Sequence, residues 1–298
     1  MNDHKEAHEL AHLYVDGAFS RREMIRRARK IAGGVAMVST ALNNMGAPLK
    51  AQNASCPVDL RVPADAPDIV GQDVQFAGDE SPLFAYLVKP KREVSDPIPA
   101  VLVIHENRGL TEHIRDVTRR VARAGYIALG IDLLSRLGGT AQFTDPADQT
   151  RAYNQTTPAG RLADLRKSVA YLRTLPDVFG DSIGCVGFCA GGGNVWNLAV
   201  SGETTRANVV YYDPTPPLDQ IPNIQGQMLC HYAQTDRALT TQGVATVAAM
   251  NAIQKRFGFH IWENVGHAFN NDTGAAFNAK AACDAWNRTI EFFNTHLG

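Results

Sequence analysis

From residue 73 onward, apolar runs the length of one strand alternate with longer stretches whose apolar residues fall at helical spacing. Ala100-Val101-Leu102-Val103-Ile104 is apolar at every position, which suits a strand buried on both faces. Thr111 stands where a helix cap belongs, and Ile114, Val117, Val121 and Ala124 follow on one face, with Gly125 as a stop. Tyr126 to Ile131 predicts a second strand, and Leu162, Leu165, Val169 and Leu172 predict a second amphipathic helix. Further strand-like runs cover 183–188, 208–212, 227–232 and 259–263, with helices expected near 191–201, 241–257 and 277–296. A hairpin turning at 78–81 is expected ahead of them, within 74–90. Alternation of this kind predicts right-handed crossovers and an α/β fold, a mainly parallel central sheet flanked by helices. In such sheets a functional site gathers at the carboxyl ends of the strands.

The bulk properties narrow the partners. The formal net charge is -1, so no global field draws the chain to nucleic acid or an anionic membrane. No apolar run approaches the roughly 18 residues of a membrane span. A small molecule is the expected ligand. The five cysteines, at 56, 185, 189, 230 and 283, form neither a CxxC pair nor zinc-ligand spacing, which argues against a disulfide framework and against a structural metal site. At least one of them is expected to be a free thiol.

Residues 1–50 read as a helical N-terminal extension, with a helix expected from about 4 to 32. Within it, Ser20-Arg21-Arg22-Glu23-Met24-Ile25-Arg26 is similar to a twin-arginine export signal, followed by a mild apolar stretch. Retention of the segment as a packed helix implies a cytoplasmic protein, monomeric or paired into a homodimer through that helix. Export implies a periplasmic one. Residues 51–72 read as a linker into a catalytic domain spanning 73–298.

The most informative segment is Gly187-Phe188-Cys189-Ala190-Gly191-Gly192, which follows one expected strand and opens a helix. In that setting G-x-nucleophile-x-G forms a nucleophile elbow, because a strained turn between closely packed elements needs neighbours without side chains. A cysteine there sits at a helix N-terminus, whose partial positive charge is expected to favour the thiolate. In α/β-hydrolases the chain order is nucleophile, acid, histidine. Asp236, just past the strand ending near Tyr232, and His267, in the loop after the last strand, satisfy that order. His267 would move the proton and Asp236 would orient it. The loop 105–109 follows the first buried strand, where this fold supplies an oxyanion donor, so the backbone N–H groups of Ala190 and Asn107 are the candidate oxyanion hole.

These pieces resemble the dienelactone hydrolase (carboxymethylenebutenolidase) family of α/β-hydrolases over roughly 73–296. The matching residues are the 187–192 elbow, Asp236 and His267 in order, and the loop carrying Glu106. The resemblance implies that Glu106 contacts the resting cysteine and takes part in switching it to the thiolate. It also implies hydrolysis of a small ester or lactone through an acyl-thioester, with no metal and no cofactor. Family members carry an arginine four residues after the histidine that grips a substrate carboxylate; here Asn271 stands in its place, which points away from dienelactone itself. Arg151 is the counterpart expected for a second family arginine, and Phe269 and Trp196 are candidate pocket residues. The competing readings are acyl transfer, thioester cleavage or phosphoester hydrolysis at the same site, and a ligand-binding protein on a hydrolase scaffold.

Overall fold

The computed structural model describes residues 26–30, 60–92, 96–213, 215–255 and 257–298. The chain divides into two units, 1–57 with Gly298, and 58–297. Of the first, residues 26–28 form a helical turn. Most of the expected N-terminal helix, most of the twin-arginine-like cluster and Cys56 lie outside the described residues.

The second unit is built on one eight-stranded sheet. Its strands are β1 (Ile69–Ala77), β2 (Pro82–Pro90), β3 (Ile98–Ile104), β4 (Ile127–Ile131), β5 (Val178–Phe188), β6 (Ala207–Tyr211), β7 (Gln227–Ala233) and β8 (Phe257–Trp262). Their order across the sheet is β1-β2-β4-β3-β5-β6-β7-β8. β1 and β2 form the expected antiparallel hairpin, β2 joins β4 antiparallel, and the remaining neighbours are parallel. The helices are α1 (Glu112–Arg123), α2 (Pro146–Gln155), α3 (Pro158–Thr174), α4 (Ala190–Val200), α5 (Arg237–Ala252) and α6 (Ala279–His296).

Strand periodicity explains the two cores. Val101 and Val103 of β3 face one way, toward Ile114, Val117 and Val121 of α1 and Trp286 and Phe293 of α6. Ala100, Leu102 and Ile104 face the other, toward Leu165, Val169 and Leu172 of α3 and Val195 and Leu198 of α4. Burial of such a side chain contributes about 1.5–3 kcal/mol, so a strand apolar at every position is stable only between two helical layers.

α2 was not anticipated. Only Ala152 and Tyr153 of it are buried, which is too little apolar surface to set up a helical period. Its signal was local: Asp145 accepts a hydrogen bond from the Ala147 N–H (2.7 Å), and Pro146 occupies the first turn. α5 starts at Arg237 rather than near 241, directly after Asp236.

Candidate active site

β3, β5, β6, β7 and β8 run parallel, so the segments that follow them leave the sheet at one edge. Glu106, Cys189, Asp213, Asp236 and His267 all belong to those segments.

Cys189 has φ 52° and ψ -128°, in the region that side chains disfavour, between β5 and the first residue of α4. The glycines around it are required by close approach. A Cβ on Gly187 would lie 2.1 Å from the Gly191 carbonyl oxygen, and one on Gly191 would lie 2.4 Å from that of Ile104. The Cys189 N–H donates to the Tyr211 carbonyl (3.1 Å), which pins the elbow to β6.

The thiol departs from expectation in one respect. Burial pushes its pKa up, to about 12; the Ala190 N–H pulls the other way, and the charges of Asp213, Glu106 and Asp236 add to the rise. Desolvation and neighbouring carboxylates outweigh the helix terminus, so the resting group is a neutral thiol. Cys185 and Cys230 are also free thiols but are fully buried in the second core. Cys283 is disulfide-bonded, so the cysteine set contains a bridge that its spacing had argued against.

His267 and Asp236 are brought together: Nδ1 of the imidazole lies 2.7 Å from Oδ2 of the carboxylate. Asp236 begins α5 as its N-cap, yet its side chain caps nothing and is left for the imidazole. The two loops are laced to each other. The Thr235 hydroxyl donates to the Val265 carbonyl (2.8 Å), and the Asn264 N–H donates to Oε1 of Gln234 (2.9 Å). Tyr212 meets the His267 ring edge-on, with centroids 5.0 Å apart.

Glu106 is buried. Asn271 Nδ2 donates to both of its carboxylate oxygens, at 3.2 and 3.0 Å, and Arg108 lies 3.7 Å away. The Asn271 amide is itself oriented by Thr273, whose N–H (3.0 Å) and hydroxyl (2.7 Å) donate to its Oδ1. The neighbouring His105 accepts the Leu133 N–H at Nε2 (2.9 Å), which leaves Nδ1 to donate to the Glu106 carbonyl. The Ala190 N–H faces the Cys189 sulfur, and the Asn107 N–H has no backbone acceptor among the described residues.

Three expected substrate contacts are not brought together with these groups. Arg151 is exposed on α2 and pairs with Asp148 (2.8 Å), one helical turn away. Trp196 is fully buried in the core beneath α4, because its helical phase turns it to the sheet. Phe269 is also fully buried and packs behind Tyr212, with centroids 5.4 Å apart, so it supports the site without lining it. The residue missed instead is Tyr153. Its hydroxyl accepts from Asn194 Nδ2 (2.9 Å), and the Cys189 charge bears on its ionisation. Arg161 stacks over the Tyr153 ring at 4.7 Å while donating to Thr156 and Asn194. Only the buried pair Ala152-Tyr153 marks this in the sequence, too short a signal to be read.

Among the described residues there is no cluster of His, Cys, Asp or Glu able to hold a metal ion, and no helix long and apolar enough to cross a membrane.

Comparison with known proteins identifies the family. A model of the dienelactone hydrolase family matches residues 83–297. A candidate carboxymethylenebutenolidase of Synechocystis is 31% identical over 244 residues, covering 77% of this chain and 95% of that protein. One from Escherichia coli K12 is 30% identical, covering 80% of this chain and 91% of that one. The crystal structure of a candidate dienelactone hydrolase from Klebsiella pneumoniae superposes with a TM-score of 0.69 at 25% identity, over 76% of this chain and 99% of that one. A dienelactone hydrolase-like promiscuous phosphotriesterase from metagenomic libraries has the same fold, with a TM-score of 0.69 at 21% identity over 78% of this chain and all of that one. The chain is an α/β-hydrolase and belongs to the dienelactone hydrolase family.

Proposed function

We propose that the protein hydrolyses a small carboxylic ester or lactone through an acyl-thioester on Cys189, with His267 and Asp236 as its proton-transfer pair. The observation that carries this reading is the 2.7 Å His267–Asp236 pair on the strand-end edge that also bears the strained Cys189 elbow.

In the first half-reaction the Cys189 thiol passes its proton to Nε2 of His267, and Sγ attacks the substrate carbonyl. The carbonyl electron pair moves to oxygen, where the Ala190 and Asn107 N–H groups receive it. Collapse expels the alkoxide, which takes the proton from His267; in a lactone it stays tethered as a hydroxyl. In the second half, water gives a proton to His267 and attacks the thioester, the C–S bond breaks, and the thiolate regains its proton. Asp236 holds Nδ1 protonated and stabilises the imidazolium in both halves. In this reading Glu106 takes part in activation: after burial and Asp213, its carboxylate helps to raise the thiol's pKa at rest, so movement of Glu106 away from the sulfur on substrate entry eases ionisation.

The test is hydrolysis of p-nitrophenyl esters and simple lactones by wild type and Cys189→Ala side by side. Nearly complete loss in the variant, with an acyl adduct on Cys189 by mass spectrometry of the wild type, is the expected result. Equal activity of the two proteins would reject Cys189 as nucleophile; no activity in either would favour the ligand-binding alternative. Because a phosphotriesterase shares the fold, an aryl phosphotriester belongs in the panel.

A further inference from the structure

The mechanism above leaves one buried acidic side chain of the site unused. Asp213 follows β6, between the strands that lead to Cys189 and Asp236. It is 7% exposed, and no side chain or backbone group among the described residues hydrogen-bonds or ion-pairs with its carboxyl. Its oxygens are not fully enclosed, so they keep a narrow contact with solvent and are open to a ligand. A carboxylate kept for structure is normally paired.

The chain makes room for it. The carboxyl lies against the first turn of α4, where a Cβ on Gly193 would be 2.6 Å from its Oδ1 and one on Gly192 would be 2.7 Å from its Cβ. The ionisable groups that sense its charge are Cys189 of the elbow, Tyr153 of α2 and the core residue Tyr232 of β7, while Asp236 bears on Asp213 in turn. Burial, reinforced by the Asp236 charge, pushes the carboxyl up to about 8, so at neutral pH it holds a proton and is a hydrogen-bond donor.

The cations nearby are each held by protein groups, although Arg161 bonds only neutral ones. Glu106 and Asp236 stand nearby as carboxylates, Arg108 is paired with Glu106, and Arg161 is engaged with Thr156 and Asn194. Arg151 is turned to solvent with Asp148.

We propose that Asp213 is a specificity-determining residue that hydrogen-bonds an uncharged oxygen, hydroxyl or keto, on the acyl part of the substrate, and that it repels a substrate carboxylate once it ionises. This rests on the hydrolase reading and names the substrate class of the same site.

Three matched methyl esters test it: methyl butyrate, methyl 3-hydroxybutyrate and monomethyl succinate, with kcat/KM followed by acid release. In wild type at pH 6.5 the hydroxy ester is expected to exceed the plain ester by about tenfold, the worth of one good hydrogen bond. Asp213→Ala should reduce the hydroxy-to-plain ratio by about that factor. Asp213→Asn, which keeps a donor, should hold the ratio within about threefold. Between pH 6.5 and 9.5 the half-ester-to-plain ratio should fall in wild type, as Asp213 ionises, and not in Asp213→Asn. A packing role alone would move none of these ratios. Identical ratios in all three proteins, or a wild-type preference for monomethyl succinate at pH 9.5, would overturn the proposal. Cys189→Ala on methyl butyrate tests the hydrolase reading separately: retained activity there removes the mechanism while the Asp213 ratios are still read.

Discussion

At the scale of single residues, the site is governed by where carboxylates meet partners and where they do not. Asn271 holds Glu106 by a neutral amide, so it orients the carboxylate without neutralising it. Asn271→Ala should lower kcat about tenfold or more by freeing Glu106, and Asn271→Asp should lower it further by setting a carboxylate against it. Steady-state rates on one ester at fixed pH check both. Asp213 is also a reporter of stability. Its pKa in the fold is raised above the ordinary carboxyl value of 3.8, to about 8, so the folded state binds the proton more tightly than the unfolded chain. Its contribution is fully present below about pH 4 and is lost as pH rises toward 8. Relative to Asp213→Asn, wild type should lose on the order of a few kcal/mol between pH 4 and 8 and level off above. Thermal melts of both proteins across that range measure it; parallel curves would reject a raised pKa.

At the scale of elements, the site depends on how tightly a turn and a loop are held. The elbow has no spare volume at Gly191, whose added Cβ would meet two carbonyl oxygens, of Ile104 and His105, at 2.4 and 2.6 Å. Backbone cannot retreat as a side-chain tip can. Gly191→Ala should therefore destabilise the protein by about 2 kcal/mol or more and abolish turnover, as denaturant titration and an ester assay would show. The loop after β8, which carries His267 and Asn271, is anchored to α1 by a buried ion network. Asp272 lies 2.6 Å from Arg120 and 3.1 Å from His113, and Arg120 also pairs with Asp116. Against the opposing effect of burial, His113 and Arg120 hold the Asp272 carboxyl down at about 2. Asp272→Ala leaves Arg120 short of a partner in a buried place, and a loss of about 3 kcal/mol is expected. Activity should fall more steeply than stability, since His267 rides on the same loop; an activity unchanged at full folding would show that the anchor does not position the histidine.

At the scale of the whole molecule, the proposed reacting groups follow β5, β7 and β8 and the proposed oxyanion donors follow β3 and β5, so the site exists only when the sheet is assembled. Urea curves followed by ester hydrolysis and by far-ultraviolet circular dichroism should coincide for this unit. An earlier loss of activity would mean that the loops open before the sheet does. Much of this was legible in the chain. The wholly apolar run 100–104, the glycine frame of Cys189 and the order Asp236 then His267 are local patterns, and local patterns express backbone geometry and strand burial directly. Residues 146–155 were not legible as a helix, because a surface helix with two buried residues leaves no period. Arg151 and Trp196 were misplaced for a related reason: proximity in sequence to a site says nothing about the phase with which a helix presents a side chain. The sequence by itself determined the parallel sheet and the elbow, since each is written in contiguous residues, and the order Cys189, Asp236, His267, which is read directly along the chain. Only the tertiary structure decided that the thiol rests neutral, that Asn271 is the partner of Glu106 and that Asp213 lies unpaired beside the elbow. Those are facts of desolvation and of distance between segments far apart in the chain, and no spacing along the chain encodes them.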